Sequence, residues 1–350
     1  MPSIHIHLKK FERNLRFLTS LLHAEDRSVT AVSKVFLADQ KLIDIINQTD
    51  IEYIADSRIE NLRLMKTDKQ KVMLRIPAIS EVFDVIDVCN ISLNSELKTI
   101  QALNDACEKK NKTHKIILMF DIGDLREGIF YKDFHIDMIK KIKNLSHIEL
   151  YGIGTNLTCY GGVIPSRETY EKLIDIKHQI EHKFGDTLKM ISGGNSSAIL
   201  MLKRHELSPY INNLRIGEAF VLGRETAYGT HIEGMADDVF TLKTEIVELK
   251  EKPSYPEGEL GLDAFGKKVQ FIDRGMMVRA ICNVGKQDVN PFDLIPPDGV
   301  EILGGSSDHL ILSITNNTYK LGDFIEFKLT YGSLLSLMTS PYIRRVYEEL

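Results

Sequence analysis

Cysteine is scarce in this 350-residue chain, and what there is excludes a disulfide framework: Cys89, Cys107, Cys159 and Cys282 are widely spaced and form no C-x-x-C pair. Free thiols in a reducing cytoplasm are the expected state. No apolar run reaches the length of a membrane span, and the opening Met-Pro-Ser-Ile-His-Ile-His has neither the basic nor the apolar region of a secretory leader. An excess of positive charge is lacking too. The formal net charge is -5, and the short clusters Lys109, Lys110, Lys112 and Lys140, Lys141, Lys143 suit solvated helix faces, so nucleic acid is not an expected partner. Gly152-x-Gly154 is missing the third glycine and the acidic residue of a dinucleotide fingerprint. His178 and His182 lack a third ligand or an H-E-x-x-H pattern, and His5 and His7 share one face of a short strand, so no metal site is expected. What remains is a chain that is 43% hydrophobic, enough for one large domain or two of ordinary size.

The hydrophobic pattern alternates between strand-length and helical runs. After a short strand at Ile4 to His7 and a helix at residues 8–24, Ser28-Val-Thr-Ala-Val-Ser-Lys34 reads as the first strand of a barrel, ending in a lysine. Further strands are expected at 51–56, 71–76, 91–94, 115–122, 148–155, 189–192 and 213–216. Helices are expected between them, the longest at 166–184 and opened by Ser166 with Glu168 in its first turn. Such a repeat over about 200 residues predicts a (β/α)8 barrel with its active site at the C-terminal ends of the strands. Beyond Gly223 strand-like runs recur at 239–249, 268–273, 276–283, 300–303, 309–314 and 323–328, punctuated by proline and glycine. An α/β protein is expected, with the barrel over residues 1–227 and an all-β domain over 228–350, the first few residues of the chain packing on the latter.

Polar residues at the strand ends are the candidates for chemistry. An amine at the mouth of a buried parallel strand loses hydration, which lowers its pKa and lets it condense with an aldehyde, and Lys34 is so placed. The other ends carry Asp121-Ile-Gly-Asp124-Leu-Arg126-Glu-Gly128, Gly154-Thr-Asn156, Gly193-Gly194-Asn195-Ser196-Ser197 and Leu214-Arg215-Ile216-Gly217-Glu218. A Gly-Gly-Asn-Ser-Ser turn ahead of a helix suits a phosphate, although as a local pattern it also serves as an ordinary connection. An amine, two guanidinium groups and a phosphate cradle together fit pyridoxal 5'-phosphate.

This ordered set, with Ala31-Val32-Ser33-Lys34 at its head, resembles the alanine racemase family of fold type III pyridoxal-phosphate enzymes, and within it the ornithine racemase branch, for which Gly-Asp-Leu-Arg-Glu-Gly and Gly217-Glu-Ala219 are typical. The resemblance covers nearly the whole chain. It implies that Lys34 holds the cofactor as an internal aldimine and is one of two bases for proton exchange at Cα of an amino acid, with ornithine the expected substrate. It implies Arg126 near the cofactor phenolate, Asn195, Ser196 and the Gly217 backbone at the phosphate, Glu218 beside them, Arg215 facing the pyridine nitrogen, and Tyr342 at the phosphate from the C-terminal segment. It also implies a homodimer whose active sites are shared between subunits.

Two departures stand out. Asn156 replaces the family's usual histidine against the cofactor ring, and in Gly258-Glu-Leu-Gly-Leu-Asp263-Ala-Phe265-Gly266 phenylalanine takes the slot of the tyrosine that serves as second base. Asp263 from the partner subunit is the candidate replacement, with residues near Cys282 or Asp288 as alternatives. Asp288 and Asp308, with Asp263 and Glu218, are the candidates to receive a substrate's second ammonium. Two rival functions fit less well: a basic amino-acid decarboxylase would place an acid, not Arg215, at the pyridine nitrogen, and a non-catalytic pyridoxal-phosphate homeostasis protein would resemble the barrel alone.

Overall fold

The computed structural model describes residues 1–268, 270–316 and 319–349. It divides into two compact units, Lys10–Asp237, and Met1–Lys9 with the chain from Asp238 onward. Strand β1 (Ser3–His7) belongs to the second unit. The first is built on β2 (Ser28–Val32), β3 (Tyr53–Asp56), β4 (Gln70–Met73), β5 (Ile91–Asn94), β6 (His114–Asp121), the two-residue β7 (Ile129–Phe130), β8 (Ile148–Gly154), β9 (Met190–Ser192) and β10 (Asn213–Ile216). Eight of these pair in parallel in the order β2-β3-β4-β5-β6-β8-β9-β10, and β10 pairs back onto β2, closing the ring as a (β/α)8 barrel. Strands buried on both faces read as nearly unbroken apolar runs. Tyr53, Ala55, Val72, Ile91, Leu93, Ile117, Met119 and Met190 accordingly form one packed cluster. The long helix spans Arg167–Phe184 and is capped as its sequence anticipates, the Ser166 hydroxyl accepting the Thr169 N–H at 3.1 Å.

The second unit is an antiparallel sheet in the order β13-β16-β11-β12-β15-β14, from β11 (Phe240–Pro253), β12 (Met276–Cys282), β13 (Leu294–Ile295), β14 (Val300–Gly305), β15 (Leu310–Ile314) and β16 (Phe324–Leu329). β1 pairs antiparallel with β11 and parallel with β17 (Arg344–Glu348). A helix at Tyr331–Thr339 joins this unit. Its Gly332, Ser333 and Ser336 obscure the helical period, and Thr330 caps it.

Two boundaries differ from the sequence reading. The units divide after Asp237 rather than at Tyr228, because Ile232, Met235 and Ala236 are buried and Asn14 holds Ala236 by two hydrogen bonds of 2.8 Å. The expected strand at 268–273 is irregular apart from a Leu262–Lys268 bridge, Val269 lying outside the described residues. Asp273 Oδ1 instead accepts the Gly275 N–H and the Ser254 hydroxyl, which turns the chain before β12 begins.

Candidate active site

β2 stops at Val32, and Ser33 turns the chain into a 3-10 segment, Lys34–Phe36, that presents the half-buried Lys34 at the C-terminal end of the barrel. The turn is held from β3. The Ser33 N–H donates to the Ala55 carbonyl at 2.9 Å, and its hydroxyl to the fully buried Asp56 at 2.6 Å. Asp56 also receives the Arg58 N–H at 2.9 Å and the Asn61 amide at 3.1 Å, against a burial that pushes its carboxyl above the usual range. Leu37 and Ala38, both left-handed at φ 53° and 52°, complete the exit.

The stretch Asp121 to Gly128 is tied to itself and to its neighbour. Asp121 Oδ1 accepts the Gly123 and Leu125 N–H groups at 2.8 and 3.2 Å. The buried Asp124 accepts three backbone N–H groups, from Cys159, Tyr160 and Val163, each at 2.9 to 3.0 Å, and so fixes the loop after β8. Gly128 folds back against β6, where a Cβ would lie 2.4 Å from the Asp121 nitrogen. Arg126, largely exposed, is ion-paired to Glu127 at 3.0 Å.

Arg215 rises from β10 into the barrel mouth and is buried. Its guanidinium donates to the Ser192 hydroxyl at 2.5 Å, to the Thr155 carbonyl at 2.7 Å and to Asn156 Oδ1. Burial lowers its pKa, with the Glu127 charge acting first against that. Asn156 Nδ2 in turn donates to Glu127. Asn195 caps the turn Ser196–Ala198, its Oδ1 accepting the Ser197 N–H at 2.8 Å and its Nδ2 donating to the Leu157 carbonyl at 2.9 Å. The buried Ser196 hydroxyl accepts the Ala219 N–H at 3.3 Å. Gly217 packs against β2, where a Cβ would stand 3.1 Å from that of Val32. Glu218 is paired with Arg224 at 3.0 Å; burial raises its pKa, opposed by Arg224 and by the Lys34 charge.

Lys34, Arg126, Asn156, Asn195, Ser196, Gly217 and Glu218 therefore lie on the segments that leave the barrel strands at one end, and Arg215 lies within β10 itself. Asp263, Asp288, Asp308 and Tyr342 belong to the β unit. Asp263 closes its own turn, accepting the Phe265 and Lys267 N–H groups at 2.9 and 2.8 Å, bonds that hold its carboxyl below the usual range. The Phe265 ring has the Lys286 ammonium 4.2 Å from its centroid. Asp288 accepts the Ser340 hydroxyl at 2.6 Å. Asp308 is exposed and accepts from Ser306 and Ser307 at 3.1 Å, and Tyr342 is exposed. Sequence reasoning passed over Asp56 and Glu127. Both were visible as carboxylates within or beside a strand-end motif, but only the folded chain shows that one holds the Lys34 turn and the other meets Asn156.

The donors suit a phosphorylated aldehyde. An amine on a turn, a serine hydroxyl at the start of a helical turn, a close backbone approach at Gly217 and a buried guanidinium bonded only to neutral acceptors are the parts such a group requires. Among the described residues no group of histidine, cysteine and carboxylate side chains could hold a metal ion, and no helix is long and apolar enough to cross a membrane.

Comparison with known proteins agrees with this fold. Residues 6–225 match the model of the alanine racemase N-terminal domain. An ornithine racemase of Acetoanaerobium sticklandii is 46% identical over 348 residues, covering 98% of this chain and 99% of the relative. A lysine racemase of Thermotoga maritima is 38% identical over 352 residues, covering 99% and 98%. Among solved structures, the alanine racemase of Clostridium difficile 630 superposes with a TM-score of 0.75 at 18% identity, covering 99% of this chain and 96% of that one. An alanine racemase of Bartonella henselae with covalently bound pyridoxal phosphate gives a TM-score of 0.75 at 18% identity, covering 99% of each chain. With the family model matched over residues 6–225 and two racemase relatives matched over nearly the full length, the chain belongs to the alanine racemase family.

Proposed function

We propose that this chain is a pyridoxal-phosphate-dependent amino-acid racemase whose substrate is ornithine. The observation that carries the reading is the full-length 46% identity to an ornithine racemase in a chain that also sets Lys34 at the mouth of the first barrel strand. When bound, the cofactor would withdraw electrons from the substrate's Cα and so acidify its proton. Lys34 holds the cofactor and moves that proton on one face through Nζ. Asn195, Ser196 and the Gly217 backbone would hold the phosphate, with Glu218 beside them, and Tyr342 is a further candidate for it. Arg215 would face the ring nitrogen and keep its own protons there, since a guanidinium is not deprotonated at working pH. Arg126 would lie near the cofactor phenolate and Asn156 against its ring.

Exchange on both faces needs a proton carrier on each. The second is assigned to the β unit of another copy of this chain, with Asp263 as candidate, and Asp288 and Asp308 as carboxylates for the substrate's distal ammonium. An exposed apolar stretch, with Leu262, Phe265, Phe271, Ile272 and Met276, supports a partner copy on that unit.

The test is L-ornithine in deuterated water. The purified, cofactor-loaded enzyme should lose optical rotation while gaining deuterium at Cα, and Lys34→Ala should lose both this exchange and the visible absorbance of the bound cofactor. Release of carbon dioxide, or absorbance without exchange, would overturn the racemase reading. Lysine, supplied in parallel, tests the chemistry named for the second relative.

A further inference from the structure

Arg126 and Arg215 are joined by an unbroken hydrogen-bonded path of two side chains. Arg126 Nε meets Glu127 Oε2 at 3.0 Å and its Nη1 meets Oε1 at 3.2 Å; Asn156 Nδ2 donates to the same Oε1; Arg215 Nη2 donates to Asn156 Oδ1. The polarity of this path is fixed by chemistry. A guanidinium has no acceptor and a carboxylate no donor, so the Asn156 amide has one workable orientation, oxygen toward Arg215 and nitrogen toward Glu127. Glu127 is only 16% exposed, and bonds that reach a charged group at low exposure are the strong ones.

Resting on the racemase reading, we propose that Glu127 is a positioning residue: it orients Asn156, and through it the buried Arg215, while holding Arg126 on the other side of the same site. An aspartate at 156 would still accept from Arg215 but would set two carboxylates against each other, whereas an amide at 127 would meet that aspartate with a donor. Exchanging the two groups should therefore rebuild the bond that either single exchange weakens.

A double-mutant cycle tests this with Asn156→Asp, Glu127→Gln and the pair together in the cofactor-loaded enzyme. Asn156→Asp should lower kcat/KM for ornithine by about 10- to 100-fold, the scale of a misplaced contact in an active site, with most of the loss in kcat. Adding Glu127→Gln should recover at least part of that loss and return the visible absorbance maximum toward the parent's. The melting temperature should show the same rescue, so a readout independent of turnover is available. Recovery in the pair supports the path. Losses that multiply without recovery, or an Asn156→Asp enzyme within twofold of parent in kcat/KM and unchanged in spectrum, overturn it. A parent that neither racemises nor binds the cofactor defeats the functional reading alone, because the rescue of melting temperature still reports whether residues 127 and 156 are coupled.

Discussion

At the scale of single residues, the site depends on how closely the chain can approach itself. Gly128 adopts φ 131° and leaves no room for a side chain against Asp121 and Phe120. Gly128→Ala should therefore displace Arg126 and Glu127 as well as strain the backbone, lowering stability by about 1–3 kcal/mol and reducing kcat/KM, as thermal melts and initial rates would show. This glycine was legible in the sequence only as part of a motif. Its reason, a loop folding back along β6, is a tertiary contact that no local pattern encodes. The Lys34 stretch by itself reads as well as a lysine ending a strand in solvent, and only the motifs at the other strand ends single it out. Asp263 was less legible: a carboxylate after Gly-Leu gives no hint that it is already occupied by two backbone N–H groups of its own turn.

At the scale of elements, β6 carries a titratable group that ties the barrel to pH. His114, at its start, is buried and bonded to the Ser92 hydroxyl of β5 at 2.8 Å, and burial lowers its pKa to about 4. The folded state thus favours the neutral ring. Its contribution is complete above the ordinary value of 6.5 and is lost as pH falls toward 4, a cost of roughly 3 kcal/mol. His114→Gln keeps a hydrogen-bonding side chain without that titration, so the difference in denaturant stability between parent and variant should shift against the parent between pH 7 and 4. A pH-independent difference would remove His114 as the source. The strands themselves were well placed by the apolar pattern, since buried parallel strands are runs of β-branched and aliphatic residues. The strand expected at 268–273 is not found at 270–273 because Phe271 and Ile272, which look like a strand, are exposed side chains next to a turn.

At the scale of the whole molecule, two units of different texture were readable from the change near Tyr228, but not the ten-residue extension of the barrel unit to Asp237, which depends on the contact between Ala236 and the distant Asn14. If sites are shared between copies, the protein should run in solution at about twice the 39.8 kDa of one chain. Asp263→Asn keeps an acceptor for its turn while removing the base, so it and Lys34→Ala should each be inactive as homodimers yet regain activity when mixed and allowed to exchange subunits. Activity of Asp263→Asn alone near the parent's would remove Asp263 from the chemistry. Among the described residues β1 pairs with residues 240–243 and 344–348, and its His7 N–H donates to the Val239 carbonyl, with the whole barrel made in between. On the ribosome that opening strand has to remain unpaired while its neighbours are translated, so a bulky fusion or a clipped residue at Ser3 to His7 should harm maturation of the β unit while leaving the barrel able to form.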